Sequence, residues 1–148
     1  DPRPDFCRTL WETVRDAKTI VVYSSFERTQ VKHMAAAGIP FAAELLDALE
    51  TRIVDLEKIV KENVYLEAFK YRTSIKTVLP ALVPTMSYQG MAIADGTAAM
   101  TEFRRMVDPR TDPVRAAQIR NDLLAYCKQD TLAMVEVYRA LRRLASTP

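Results

Sequence analysis

The sequence has few of the residues from which disulfide frameworks and structural zinc sites are built. It contains two cysteines and one histidine, whereas a disulfide scaffold needs several cysteine pairs and a structural zinc site takes four Cys or His ligands. We therefore exclude both kinds of site. Cys7 and Cys127 each lie in an amphipathic helical pattern, so we expect two buried free thiols in a reducing compartment.

Glycine and long apolar runs are also scarce. With three glycines and 49% hydrophobic residues in 148, the chain reads as one helix-rich globular domain. It has no apolar run of membrane-spanning length and no signal-peptide pattern, so we predict a cytoplasmic protein without membrane contact. The formal charge of +2 is nearly balanced, so an anionic partner must bind a local patch of basic residues. The chain opens on Asp1 without an initiator Met, and we interpret it as part of a longer protein.

One buried β-strand is predicted, and a helix follows it at once. The apolar, β-branched run from Thr19 to Tyr23 is typical of a strand covered on both faces. Ser24 or Ser25 then caps a helix that ends near a glycine, and Glu27 lies in its first turn. Ligands of open α/β sheets gather where strands end and helices begin, so Glu27 is a candidate site residue.

No second strand is evident in the sequence. Because a lone strand leaves its backbone groups unsatisfied, we expect its partners in a missing N-terminal part, or in a second copy that forms a homodimer through Thr19 to Tyr23. The region after Pro40 reads as one long helix or as two helices joined near Thr51. Asp55 either faces the charged side of this region or caps its second part.

Aromatic and basic residues alternate in the region where helical periodicity is lost. This run suits base stacking and phosphate contact, although a loop that covers the core would look the same. A short helix from Ile75 to Leu82 follows it, and Asp95 is expected to cap the next helix. The residues of the candidate nucleic-acid surface are Phe69, Lys70, Tyr71, Arg72 and Lys76.

The C-terminal region predicts a long amphipathic helix that reaches about Leu144. Tyr126 and Asp130 stand four residues apart, which places a phenol and a carboxylate on one helix face. They are either catalytic residues or a core tyrosine beside a solvated aspartate. The expected buried stripe comprises Leu123, Leu124, Cys127, Thr131, Met134, Val135, Tyr138 and Leu141.

Two motifs resemble those of a nuclease superfamily. Val-Tyr-Ser-Ser-Phe-Glu, ending at Glu27, resembles the second motif of the DnaQ-like, DEDD-type 3′–5′ exonucleases of the RNase H-like superfamily, where Asp is commoner at that position. Tyr126-x-x-x-Asp130 resembles their third motif in its tyrosine form. Residues 54–56, 74–80 and 94–96 with Tyr126-Cys127 are similar to an uncharacterised bacterial domain family attached to predicted RecB-like nucleases, and this likeness covers nearly the whole chain.

The resemblance implies an α/β, RNase H-like (DnaQ-type) fold over residues 1–148. The chain would be helix-rich because the N-terminal strands with the first motif, Asp-x-Glu, are absent. The implied activity removes nucleotides from a 3′ end with two Mg²⁺ or Mn²⁺ ions about 4 Å apart. Asp130 would bind the metal that activates water, Tyr126 would orient that water, and Glu27 would reach the second metal. We expect the fragment alone to be inactive; the alternative is a non-catalytic nuclease-like module that binds nucleic acid or a protein.

Overall fold

The computed structural model describes residues 1–146, and the chain divides into two compact units, Asp1–Tyr65 and Leu66–Pro148. Each unit has its own secondary structure and its own buried residues. In the first unit the elements are, in chain order, α1 (Arg3–Val14), β1 (Ile20–Val22), α2 (Phe26–Ala36), α3 (Ala42–Arg52), β2 (Ile53–Asp55) and α4 (Leu56–Asn63).

The partner of the predicted strand lies within the chain. β1 and β2 pair in parallel, with Ile20 opposite Ile53 and Val22 opposite Asp55, and α2 and α3 form the connection between them. Parallel strands need such a long crossover connection. The expectation that the partner strand comes from outside the chain is therefore wrong for this edge. The sequence concealed β2 because Ile53 also continues the apolar spacing of α3.

β1 is covered less completely than its composition suggested. Val22 is 4% exposed, but Val21 on the other face is 37% exposed. The prediction of a strand buried on both faces is thus correct only for the face that carries Val22. Within residues 1–146, β2 is the one strand that pairs with β1, and association of two copies through Thr19 to Tyr23 stays a prediction.

The core of the first unit forms where α1, α2 and α3 pack beside β1. Alanine at two of the buried α3 positions lets neighbouring backbones approach closely, and larger residues fill the remaining space. Arg52 adds a polar link, because its Nη1 donates to the carbonyls of Arg15 at 2.9 Å and Ala17 at 2.7 Å just after α1. The fully buried or nearly buried members of this core are Cys7, Val22, Val31, Ala42, Leu45 and Leu49.

The ends of two helices in this unit follow local sequence signals. Gly38 has a φ of 69° and closes α2, with its N–H donating to Ala35 and the next N–H donating to Met34, which is a Schellman motif. The expected glycine stop is thus confirmed. At the start of α1, which begins at Arg3, the side chain of Asp1 accepts the Arg3 N–H.

Asp55 joins the two strand-to-helix turns of the first unit. Its Oδ1 accepts the N–H of Lys58 at 3.2 Å, which caps α4, and the N–H of Ser24 at 3.1 Å, in the turn before α2. The capping alternative for Asp55 is therefore confirmed. Ser24 has a φ of 83°, an uncommon conformation for a residue with a side chain, and this hydrogen bond helps to hold it.

The second unit is built around one long helix. A short 3₁₀ turn (Glu67–Phe69) and α5 (Ile75–Leu82) precede α6 (Gly96–Val107) and the 33-residue α7 (Pro113–Ala145). Both α5 and α6 pack against α7. Asp95 caps α6 by accepting the Ala98 N–H at 2.7 Å, as expected. Among residues 1–146, no helix is both long enough and apolar enough to cross a membrane.

α7 buries a face different from the predicted one. Leu124 is 52% exposed, Val135 and Tyr138 are each 39% exposed, and Cys127 is also exposed. The expected stripe is wrong at these positions, since α7 has apolar residues on more than one face and periodicity did not single out the packed one. The buried face of α7 contains Ile119, Ala133, Val137, Ala140 and Leu141.

We expect Asp55→Ala to lower the free energy of unfolding by about 1 kcal/mol, the usual effect of losing an N-cap side chain, with a further loss from the Ser24 N–H. Asp55→Asn should retain most of the stability, because its amide oxygen still accepts hydrogen bonds. Urea unfolding of both variants, with the exposed Asp47→Asn as control, measures the difference. Equal stability of Asp55→Ala and wild type would contradict the role assigned to this side chain.

Candidate functional site

The carboxyl ends of β1 and β2 gather acidic side chains in the first unit. Glu27 lies half-buried in the first turn of α2, shortly after β1, while Asp55 is the last residue of β2 and Glu57 lies in the first turn of α4. Tyr23 is 8% exposed beside them. Burial, and then the negative charges of Glu57 and Asp55, hold the pKa of the Tyr23 hydroxyl well above its usual value. Open α/β sheets bind their ligands at the carboxyl ends of the strands, which is this edge.

The second unit brings Tyr126 and Asp130 together on the half-buried side of α7. Tyr88, from the loop between α5 and α6, joins them: its hydroxyl donates to Asp130 Oδ1 at 2.7 Å. The rings of Tyr88 and Tyr126 lie 6.4 Å apart, at an interplanar angle of 53°. The sequence alone did not connect Tyr88 with Asp130, because residues 42 positions apart share no local pattern.

The Tyr126 hydroxyl stays protonated over the whole physiological pH range. Its burial, the charge of Asp130 and a hydrogen bond to that carboxylate, followed by the charge of Asp95, raise the pKa of Tyr126 from 10.0 to about 12. Tyr126 is therefore a hydrogen-bonding group and not a base. The interpretation of Asp130 as a merely solvated carboxylate is wrong, since it is half-buried and accepts tyrosine hydroxyl groups.

The candidate nucleic-acid surface separates into buried and exposed residues. Phe69 is 3% exposed, so the prediction that its ring stacks with bases is wrong; it belongs to the core. Tyr71, by contrast, is 93% exposed, and exposed Lys70 and Arg72 flank it. Lys70 and Tyr71 have φ of 47° and 60°, so the chain turns sharply here. The Lys76 ammonium lies 5.7 Å from the ring centre of Tyr88.

A cavity of about 530 Å³ with a mixed polar and apolar lining lies between α6 and α7 in the second unit. Asp95, Glu102 and Asp122 line it together with Arg115, whose guanidinium is 3.2 Å from the Glu102 carboxylate. Asp122 accepts a hydrogen bond from the Gln118 side chain. Each of the three acidic groups thus has a partner: Asp95 accepts the Ala98 N–H, Glu102 forms an ion pair with Arg115 of α7, and Asp122 accepts from Gln118.

The described residues supply oxygen ligands of the right type for Mg²⁺ or Mn²⁺, because Glu27 and Asp130 carry carboxylates. They do not complete the ligand set that two metals require: within residues 1–146, no three His, Cys, Asp or Glu side chains form a group that could hold a metal ion. Glu27 belongs to the first unit and Asp130 to the second. His33 is exposed on α2.

A family model described as a domain of unknown function, DUF2779, matches residues 1–74. The match confirms the expectation of an uncharacterised domain family. It includes Glu27 and Asp55 and ends before Tyr126 and Asp130, whereas the expected likeness extended over nearly the whole chain. No curated protein and no solved structure matches the sequence.

The raised pKa of Tyr126 yields a direct test. We expect ¹³C NMR of labelled tyrosine to show one ring titrating near pH 12, which Tyr126→Phe removes. Asp130→Asn should move this pKa part of the way back toward 10, since burial, the largest cause, remains. Because the folded-state pKa is raised, the associated stability is fully present below about pH 10 and is lost as the pH rises through 12. An unchanged Tyr126 titration in Asp130→Asn would contradict the contact.

Proposed function

The chain belongs to the DUF2779 family, and we propose that it serves as a DnaQ-like domain of the RNase H-like fold in metal-dependent 3′–5′ exonucleolytic cleavage of nucleic acid. The family description states no activity, so the proposal rests on the motif resemblance and on the chemistry of two side-chain groups. Two Mg²⁺ or Mn²⁺ ions would neutralise the phosphodiester and generate the attacking hydroxide in such a reaction.

The observation that carries the proposal is the environment of Asp130. This half-buried carboxylate accepts the Tyr88 hydroxyl group, yet within residues 1–146 it forms no salt bridge with a lysine or arginine. A partly buried carboxylate is normally balanced by a positive charge or by several hydrogen bonds. Neutral tyrosine hydroxyl groups hold Asp130 in place without a salt bridge, so that the carboxylate remains able to bind a cation.

The first unit supports the proposal through its topology. A parallel strand pair with a helical crossover places Glu27 directly after the carboxyl end of β1. Ligand sites in open α/β folds occur at this edge. Tyr23, kept protonated by its surroundings, adds a neutral hydroxyl group beside the carboxylates and no further negative charge.

The exposed loop that follows the 3₁₀ turn supports a nucleic-acid substrate. Tyr71 presents an aromatic ring that is almost entirely exposed, between two positive side chains. An aromatic ring stacks with a base, while lysine and arginine contact the neighbouring phosphates. In the second candidate function, the domain binds nucleic acid through this loop without cutting it, as a nuclease-like module beside a separate enzyme.

We expect Asp130→Asn and Glu27→Gln each to lower the rate of 3′-end digestion by the full-length protein on the order of a hundredfold, as for the loss of other groups that stabilise a charged transition state. A 5′-labelled oligonucleotide with Mn²⁺ measures the rate, and a phosphorylated 3′ end tests the polarity. The exposed Asp47→Asn and Glu50→Gln are matched controls. Full activity in Asp130→Asn would refute its assignment, and an inactive wild type that still binds nucleic acid would favour the binding module.

Binding is tested separately by fluorescence anisotropy with a labelled single strand in the absence of divalent metal. Loss of one stacked base costs about 1–3 kcal/mol, so Tyr71→Ala should weaken binding by a factor of about 5 to 150, and Tyr71→Phe should restore it. In the double variant Lys70→Gln with Arg72→Gln, the slope of log K against log salt concentration should become shallower by about 0.7 per lost phosphate contact. The exposed Arg120→Gln is the charge control; an equal effect there would show non-specific attraction only.

A further inference from the structure

Tyr88 is a side chain at which three parts of the second unit meet. Its ring is 7% exposed, and its hydroxyl group donates to Asp130 Oδ1 of α7 at 2.7 Å. Lys76 of α5 places its ammonium group over the same ring. An O–H···O⁻ hydrogen bond of this length is among the stronger ones in proteins, and because the ring is buried it has little freedom to move.

The loop that carries Tyr88 is attached to α7 at two successive residues. The Gln129 side chain donates to the Ser87 carbonyl at 3.0 Å, while Asp130 accepts the Tyr88 hydroxyl group. The positive charge of Lys76 over the ring withdraws electron density from the phenol, which favours donation by its hydroxyl group. Each contact therefore restricts the position of the donor that reaches Asp130.

We propose that Tyr88 is a positioning residue that fixes the orientation of the Asp130 carboxylate. The motif resemblance assigns roles to Tyr126 and Asp130 and none to Tyr88, so this inference deepens the proposed function and rests on it. Tyr88 binds Oδ1 and thereby restricts the direction in which the other oxygen, Oδ2, points. A functional carboxylate needs its orientation held by surrounding groups, because small displacements reduce activity strongly.

The test removes the hydroxyl group and keeps the ring. In Tyr88→Phe the contacts with Tyr126 and Lys76 remain, so we expect the melting temperature to change little. We expect NMR three-bond couplings to show one χ1 rotamer of Asp130 in the wild type and an average over rotamers in Tyr88→Phe. In the full-length enzyme, kcat should fall about tenfold with KM unchanged, since buried Tyr88 does not touch the substrate. The control is Tyr138→Phe, which removes an exposed hydroxyl group from α7, the helix that carries Asp130.

The outcomes separate this inference from the proposed function. A single Asp130 rotamer in Tyr88→Phe would overturn the positioning role, whatever the activity. Averaged rotamers with an unchanged kcat would show that the orientation of Asp130 does not affect cleavage, and this result would also overturn the proposal. An inactive wild type would instead overturn the proposed function and, with it, any role of Tyr88 in cleavage. In the Asp130→Asn background, Tyr88→Phe should produce no further loss of residual activity; an additive loss would mean that Tyr88 acts independently of Asp130.

Discussion

The first unit depends on the need of a short strand for backbone hydrogen-bond partners. β1 has three residues, and their N–H and C=O groups would lose their hydrogen bonds to water without gaining others if the strand were buried alone. β2 satisfies one edge, and the parallel direction of the pair requires the helical connection formed by α2 and α3. Asp55 then joins the two turns at the carboxyl ends of the strands.

In the second unit, polar contacts complement the apolar packing of α7. Alanines at positions 133 and 140 are buried and let neighbouring elements approach closely. One to two turns away, Tyr126 and Asp130 lie on the half-buried side of the helix, where the loop with Tyr88 covers them. A buried tyrosine and a half-buried aspartate satisfy each other there, because a hydroxyl donor and a carboxylate acceptor that lose water both need a partner.

Each unit contributes one candidate carboxylate to the proposed nuclease function, and a different kind of observation supports each carboxylate. Glu27 is a candidate metal ligand because it follows the carboxyl end of a parallel strand. Asp130 is a candidate metal ligand because neutral tyrosine hydroxyl groups bind it, while no lysine or arginine in the described chain forms a salt bridge with it. The exposed Tyr71, between Lys70 and Arg72, gives the nucleic-acid proposal a surface of suitable chemistry. These features motivate one reaction class and one rival, which binding and cleavage measurements tell apart.

Local signals in the sequence determined several features by themselves. Gly38 ends α2, Asp95 caps α6, and the β-branched run ending at Tyr23 contains β1. These features arise from interactions between residues close in sequence, such as a left-handed glycine or a side chain bonded to the next helical turn.

Only the tertiary structure decided which faces and which distant residues meet. It assigned Ile53 to a strand, turned Leu124 outward on α7, buried Phe69 and brought Tyr88 to Asp130. In each case, two local arrangements were compatible with the same residues, and packing against elements far away in the sequence selected one of them. A helix with apolar residues on several faces, or a tyrosine in an irregular loop, does not encode its partner locally, because that partner is determined by the apolar area and hydrogen bonds gained over the whole unit.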